Sequence, residues 1–250
     1  MRLARISTPL LVLLAAGCSR APQGTREIHV YAAASLRVPF ERLAQVYAEL
    51  HPGTRVRLEL GGSPSLVTQI ENGAPCDVLA TADLASMARA AAAGVLAPGN
   101  SKAFARNRLA IAVPRGNPRR VQGLPDLGRD DLVVVLCAPG VPAGRYAREV
   151  LQRAGVHVRP RSEESSVQGV LAKLRLGEAD IGIVYASDLL AAGGEVEGVA
   201  IPAEANTVAV YPIAITRTAG QPEAARAFVD LILGARGQAV LAEAGFDTRP

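Results

Sequence analysis

The chain has 250 residues, with 27 Lys or Arg against 23 Asp or Glu, a formal net charge of +4. Its apolar fraction of 49% is enough to bury a sizeable core, as one large domain or two lobes of roughly 100 residues each. A charged fraction of 20%, with 24 Gly, 17 Pro and only 3 Cys, excludes a disordered chain, a collagen-like repeat and a disulfide scaffold.

The N-terminus, Met1 to Cys18, reads MRLARISTPLLVLLAAGC. Arg2 and Arg5 precede an apolar run from Leu10 to Ala16, too short to span a bilayer, and then Gly17-Cys18. This is a secretory signal whose Leu-Ala-Ala-Gly-Cys ending resembles a bacterial lipobox. Residues 1–17 are expected to be the signal peptide, with Cys18 lipidated after cleavage and residues 18–26 a polar tether. The alternative is an ordinary signal peptide cut near Ala21. Removal of Arg2 and Arg5 leaves 25 basic against 23 acidic residues, a net +2. Lys102 and Lys173 are the only lysines, and the arginines are scattered through the chain. No basic face interleaved with aromatics emerges, so nucleic acid is not an expected partner.

Beyond the tether, strand-length apolar runs alternate with helix-period segments. Strands are predicted at Glu27–Ala32, Val56–Leu60, Asp77–Ala80, Leu109–Val113, Leu132–Cys137, Asp180–Tyr185 and Val208–Ile215. Helices are predicted at Leu36–Leu50, Ser65–Asn72, Leu84–Ala93, Arg145–Ala154, Val167–Leu176, Pro222–Leu233 and Gly237–Ala244. The alternation argues an α/β fold with mostly parallel strands. Pro114-Arg115-Gly116-Asn117-Pro118 is the strongest turn cluster, and a boundary is expected there and near Tyr211-Pro212. Cys76 and Cys137, each beside an apolar run, read as two buried free thiols rather than a pair.

Enzyme and metal signatures are missing. The chain has no G-x-G-x-x-G, G-x-S-x-G, H-E-x-x-H or C-x-x-C, and His29, His51 and His157 are widely separated. Glu163-Glu164 reads as a solvated pair rather than acid/base machinery. What recurs is a small or hydroxyl residue where a strand gives way to a helix. Ala32-Ala33-Ala34-Ser35, Gly61-Gly62-Ser63-Pro64-Ser65, Val141-Pro142-Ala143-Gly144 and Ser165-Ser166-Val167 all have this form. Each junction offers backbone N–H groups at the positive end of a helix dipole, with little bulk to keep an anion away. Taken singly, Ser35, Ser65 and Ser166 read equally as N-caps.

At these residues the chain resembles the molybdate-binding proteins of ABC transporters. The likeness is carried by Tyr31-Ala-Ala-Ala-Ser35-Leu36, Gly61-Gly-Ser63, Gly73-Ala-Pro-Cys-Asp77, Val141-Pro-Ala143-Gly144, Val167-Gln-Gly169 and Gly182-Ile-Val-Tyr185-Ala-Ser-Asp188. It runs in order from about Glu27 to Phe246. The resemblance implies a two-lobed periplasmic-binding-protein fold of type II, with the ligand cleft between the lobes. The implied lobes are residues 27–110 plus 212–250, and residues 111–211, with hinge crossings near Leu109–Val113 and Val208–Pro212.

The resemblance also implies the oxyanion ligands: Ser35, Ser63, Ala143, Val167 and Tyr185. Ser35 and Ser63 would donate through hydroxyl and backbone N–H, Ala143 and Val167 through backbone N–H, and Tyr185 through its phenol. Pro64 stands where the family often has a serine and removes a donor, so Ser65 could replace or join Ser63. Ser165-Ser166 stands where the family tends to have acidic residues. A fully deprotonated tetrahedral dianion offers only acceptors, which a donor-only site matches; an anion that keeps a proton needs an acceptor as well.

The implied function is capture of molybdate or tungstate for a membrane permease by hinge closure, without catalysis or cofactor. Molybdenum would be held only through its oxygens. The protein is expected to be an exported monomer, periplasmic or at the cell surface, touching membrane only through its anchor. The alternatives are the same fold binding sulfate or another small anion, a secreted hydrolase using Ser35 or Ser63, and a ferric carrier using Tyr185 and Tyr211.

Overall fold

A computed structural model describes residues 26–97 and 99–248. The signal peptide, Cys18 and almost all of the tether lie outside them. Among the described residues no helix is long and apolar enough to cross a membrane.

The first part of the chain runs β1 (Arg26–Ala33), a short 3-10 turn (Ala34–Leu36), α1 (Arg37–Leu50), β2 (Thr54–Gly61), α2 (Ser63–Glu71), β3 (Val78–Ala80) and α3 (Leu84–Ala92). β4 (Ser101–Pro114) follows, then β5 (Val134–Cys137), α4 (Pro142–Arg153), β6 (Ser162–Glu164), α5 (Val167–Arg175), β7 (Ile181–Tyr185), α6 (Ala186–Ala191) and β8 (Val196–Ala200). The chain closes with β9 (Val208–Ile215), α7 (Pro222–Leu233) and α8 (Ala235–Glu243).

β4 organises the molecule. Its first half, Ser101–Arg108, pairs antiparallel with β9, while Leu109–Pro114 pairs antiparallel with β7 and β8. β9 also pairs with β3, which continues through β1 to β2 in parallel. On the other side β7, β5 and β6 are parallel. The sheet is therefore mixed, not mostly parallel as the βαβ-like alternation suggests. The parallel strands are those joined by helical crossovers, and the antiparallel pairings all involve β4 or β9, the strands along which the chain passes between the two halves.

Helices form where apolar residues recur at three and four positions. In α1, Pro39, Phe40, Leu43, Val46 and Tyr47 are buried along one stripe. Phe40 and Tyr47 each meet Phe228 of α7 edge-on, with ring centroids 6.2 and 5.4 Å apart. The chain leaves α4 and α5 at Gly155 and Gly177, whose φ values of +67° and +71° suit glycine. α2 and α4 begin earlier than periodicity predicts. Pro64 and Pro142 occupy first-turn positions, where a missing N–H breaks no helical bond. Cys76 and Cys137 are free and buried, and burial pushes both thiols up to about 12.

Candidate functional site

The four strand-to-helix junctions converge on one cavity. Ala33, Ala34 and Ser35 enter it from the end of β1, Gly61, Gly62 and Ser63 from β2, Val141, Pro142 and Ala143 from beyond β5, and Ser166 and Val167 from β6. Ala82 and Tyr185 complete the lining, which among the described residues contains no Lys, Arg, His, Asp or Glu. All five residues implied by the resemblance therefore line one space. Ser65 is exposed within α2 and does not line it.

The helix ends facing this cavity are uncapped. The N-cap residues Ala33, Gly62, Val141 and Ser166 make no side-chain capping bond. First-turn N–H groups have no partner within a helix, so these ends offer donors to the cavity. Asp83 Oδ1 accepts the Ser86 N–H of α3 at 2.9 Å, and Asp188 Oδ2 accepts the Tyr185 N–H at the start of α6 at 3.0 Å. α1, α7 and α8 also begin without a side-chain cap, so what marks the cavity is the convergence of its four junctions rather than the missing caps.

Side-chain hydroxyls complete the donor set. Ser63 Oγ accepts the Ala82 N–H at 3.1 Å, which leaves its own O–H to donate. Ser35 Oγ and Tyr211 Oη lie 2.9 Å apart, both buried. The Tyr185 hydroxyl is buried and has no hydrogen-bond partner among the described residues. A buried orphan O–H is costly unless something accepts it. Burial first, then neighbouring negative groups, raise the Tyr185 phenol well above its usual 10, so it keeps its proton.

Two contacts join the halves of the molecule at this cavity. Gly62, ahead of α2, lies so near the Ser165 carbonyl that a Cβ there would sit 2.4 Å from the oxygen. Asp83, with no exposed side-chain surface, places Oδ2 2.7 Å from Nη2 of Arg145 on α4. Arg145 also lies over the Tyr146 ring, 4.8 Å from its centroid. Sequence reading missed Asp83 and Arg145 because residues so far apart become partners only once α3 and α4 are placed.

Two acidic residues of the quoted motifs serve the scaffold. Asp77 accepts the His29 N–H at 2.7 Å and the Gln221 N–H at 3.0 Å, tying β1 to the start of α7. Asp188 holds Tyr185 at the turn into α6. Burial lifts the Asp188 carboxyl from 3.8 to about 7, against the weaker opposing pull of the Tyr185 N–H. A carboxyl whose folded pKa is raised stabilises the fold fully below about pH 4 and loses that contribution as pH rises through about 7. Asp188→Asn retains an oxygen to accept the Tyr185 N–H. It is expected to gain stability relative to the parent as pH rises from about 5 to 8. Unfolding midpoints measured across that range check this, and a constant difference contradicts it. Glu163 pairs with Arg148, and Glu164 accepts the Ser162 hydroxyl at 2.8 Å, so both belong to the β6 surface.

A sheet in two parts, crossed along β4 and β9, with open helix ends gathered where the parts meet, is the fold of the periplasmic binding proteins. The chain belongs to the bacterial extracellular solute-binding protein family, whose profile matches residues 28–247. It is 42% identical over 224 residues to the molybdate-binding protein of Mycobacterium tuberculosis, covering 90% of this chain and 85% of that one. The periplasmic molybdate-binding protein of Azotobacter vinelandii shares the fold, with a TM-score of 0.76 and 23% identity over 89% of this chain and all of its own. A sulfate-binding protein of M. tuberculosis shares it too, with a TM-score of 0.77 and 21% identity over 88% of this chain and 86% of its own.

Proposed function

We propose that this protein captures molybdate, and tungstate with it, outside the cytoplasm and delivers it to an ABC permease. The observation that carries the reading is the convergence of four uncapped helix ends, two serines and an unpartnered buried tyrosine on a cavity without an ionised lining residue. Such a site supplies donors and almost no acceptors, which suits a dianion of four oxygens. Hydrogen bonds to a charge are short and strong away from water. Ser35, Ser63 and Tyr185 would donate through hydroxyls, and Ala143 and Val167 through backbone N–H. Molybdenum needs no protein ligand of its own.

The 42% identity to a molybdate-binding relative favours this oxyanion over sulfate, because the sulfate-binding neighbour shares only the fold. The hydroxyl partners favour binding over hydrolysis. Ser35 Oγ meets Tyr211 and Ser63 Oγ meets the Ala82 N–H, neither of which is a general base. The change in β4 pairing between Arg108 and Leu109, and β9 pairing in the first sheet from Val208, support two lobes of residues 26–108 with 208–248, and 109–207. These boundaries differ by a few residues from those implied by the resemblance. Ligand would stabilise the arrangement in which the lobes meet, since it draws donors from both. Export as a lipoprotein anchored through Cys18, and action as a monomer without cofactor, belong to the same proposal.

Ser35→Ala and Tyr185→Phe are each expected to weaken molybdate binding about 10- to 100-fold, the cost of a lost hydrogen bond to a charged group. Titration calorimetry checks both. Unchanged affinity in both variants would remove these residues from the site.

A further inference from the structure

The cavity lining leaves open what turns the Ser35 hydroxyl towards a ligand. A serine oxygen can donate once and accept twice, so Ser35 alone would present either polarity to the cavity. Tyr211 stands directly behind it. Its oxygen is 2.9 Å from Ser35 Oγ, it has no exposed surface, and it does not line the cavity.

The direction of this bond follows from what Ser35 does in the cavity. Asn107, on β4 beside β9, and Tyr185 are further polar neighbours of the Tyr211 hydroxyl. The Asn107 amide oxygen already accepts the Arg108 N–H at 2.9 Å, and its Nδ2 donates to Ser187 Oγ at 2.7 Å. The amide keeps a second N–H and a second lone pair, so it accommodates the phenol in either sense. A Ser35 that spends its one proton on an anion must accept from the Tyr211 phenol. Ser35 then accepts from behind and its own hydrogen faces the cavity.

We propose that Tyr211 is a positioning residue that fixes Ser35 as a donor, so that the site discriminates against oxyanions that retain a proton. The inference rests on the oxyanion reading of the cavity and adds a residue that does not touch the ligand. Ser63 has the matching arrangement, with the Ala82 N–H occupying its oxygen from behind. In both serines a protein donor fills the acceptor side, and the cavity meets the O–H. Ser35 and Tyr211 both belong to the half of the molecule built on β1, β3 and β9, so their bond is in place before the other half arrives. Tyr211 keeps its packing if only the hydroxyl is lost. Its ring meets Phe246 edge-on at 5.3 Å and Tyr185 at 5.7 Å, contacts that phenylalanine preserves.

The test is a calorimetric comparison of the parent protein, Tyr211→Phe, Ser35→Ala and the double variant, each titrated with molybdate and with inorganic phosphate near pH 7.5. Tyr211→Phe is expected to weaken molybdate about tenfold. On the Ser35→Ala background it should cost less than about twofold more, because its effect passes through Ser35. Freed of Tyr211, Ser35 can accept from hydrogen phosphate, so the preference for molybdate over phosphate should narrow about tenfold. General loosening of the core would leave that ratio unmoved. Three results overturn the proposal: unchanged molybdate affinity in Tyr211→Phe, a full additive loss in the double variant, or an unchanged molybdate-to-phosphate ratio. If Ser35→Ala itself binds molybdate like the parent, the oxyanion reading fails at Ser35 and the role of Tyr211 falls with it.

Discussion

Gly144→Ala is expected to lower the unfolding midpoint and to cost at least 100-fold in molybdate affinity. In most helices this exchange is favourable by nearly 1 kcal/mol, since alanine is the better helix former. Here the added Cβ would lie 2.1 Å from the Ala138 carbonyl oxygen and 2.4 Å from that of Cys137. Both are backbone atoms that cannot rotate aside. The start of α4 must therefore retreat, straining the Val141 N–H bond to Ala138, 2.9 Å in the parent, and drawing the Ala143 N–H away from the cavity. Overpacking of this kind costs about 3 kcal/mol, which for a chain of this size lowers the midpoint by about 8 °C. Gly140→Ala is the control, because a Cβ there meets nothing within 4 Å. Thermal unfolding and calorimetry read the two effects, and a Gly144→Ala variant that melts and binds like Gly140→Ala contradicts the packing described.

Arg145→Met is expected to act on binding far more than on folding. Arg145 and Asp83 lie on opposite halves of the molecule and meet at 2.7 Å, so the proposed opening of the lobes would part them. Removing one partner of a fully buried pair costs about 3–5 kcal/mol. Here Arg145 keeps 35% of its side chain exposed while Asp83 has none, so solvent screening brings the effect down to about 2 kcal/mol. That corresponds to about 30-fold in affinity. When the halves part, Asp83 regains water, so the ligand-free protein should melt nearly as the parent does. Adding Asp83→Asn to Arg145→Met should recover most of the affinity, because no unpaired carboxylate is then left in the closed form. Stopped-flow release of molybdate checks this. Release at the parental rate would mean the pair does not hold the halves together.

Much of the site was legible before the fold, and the reason is chemical. Ala33-Ala34-Ser35, Gly61-Gly62-Ser63 and Val141-Pro142-Ala143 carry little side chain, so a strand-to-helix junction that exposes its backbone can be read from residue size alone. Their convergence could not be read that way, because it depends on how β1, β2, β5 and β6 are ordered in the sheet. The first half of β4, Ser101 to Arg108, escaped notice because Lys102, Arg106 and Arg108 break the apolar pattern. It is a strand because β9 pairs along it. β6, with three residues, and α6, with six, are too short to show a period. Tyr211 came to notice at an expected domain boundary and as a candidate ferric ligand, not as part of an oxyanion site. Nothing in Val-Tyr-Pro reveals that its hydroxyl stands behind Ser35.

The proposed fit of the cavity to one fully deprotonated tetrahedral oxyanion can be read from thermal unfolding of the protein with molybdate, tungstate, sulfate and phosphate in turn, each at equal concentration. At 100 times its Kd a ligand stabilises the fold by about 2.7 kcal/mol, a shift of several degrees. Molybdate and tungstate should raise the midpoint by that amount, sulfate by less and phosphate not at all. A midpoint raised by phosphate or sulfate and left unmoved by molybdate would mean that the cavity serves a different anion.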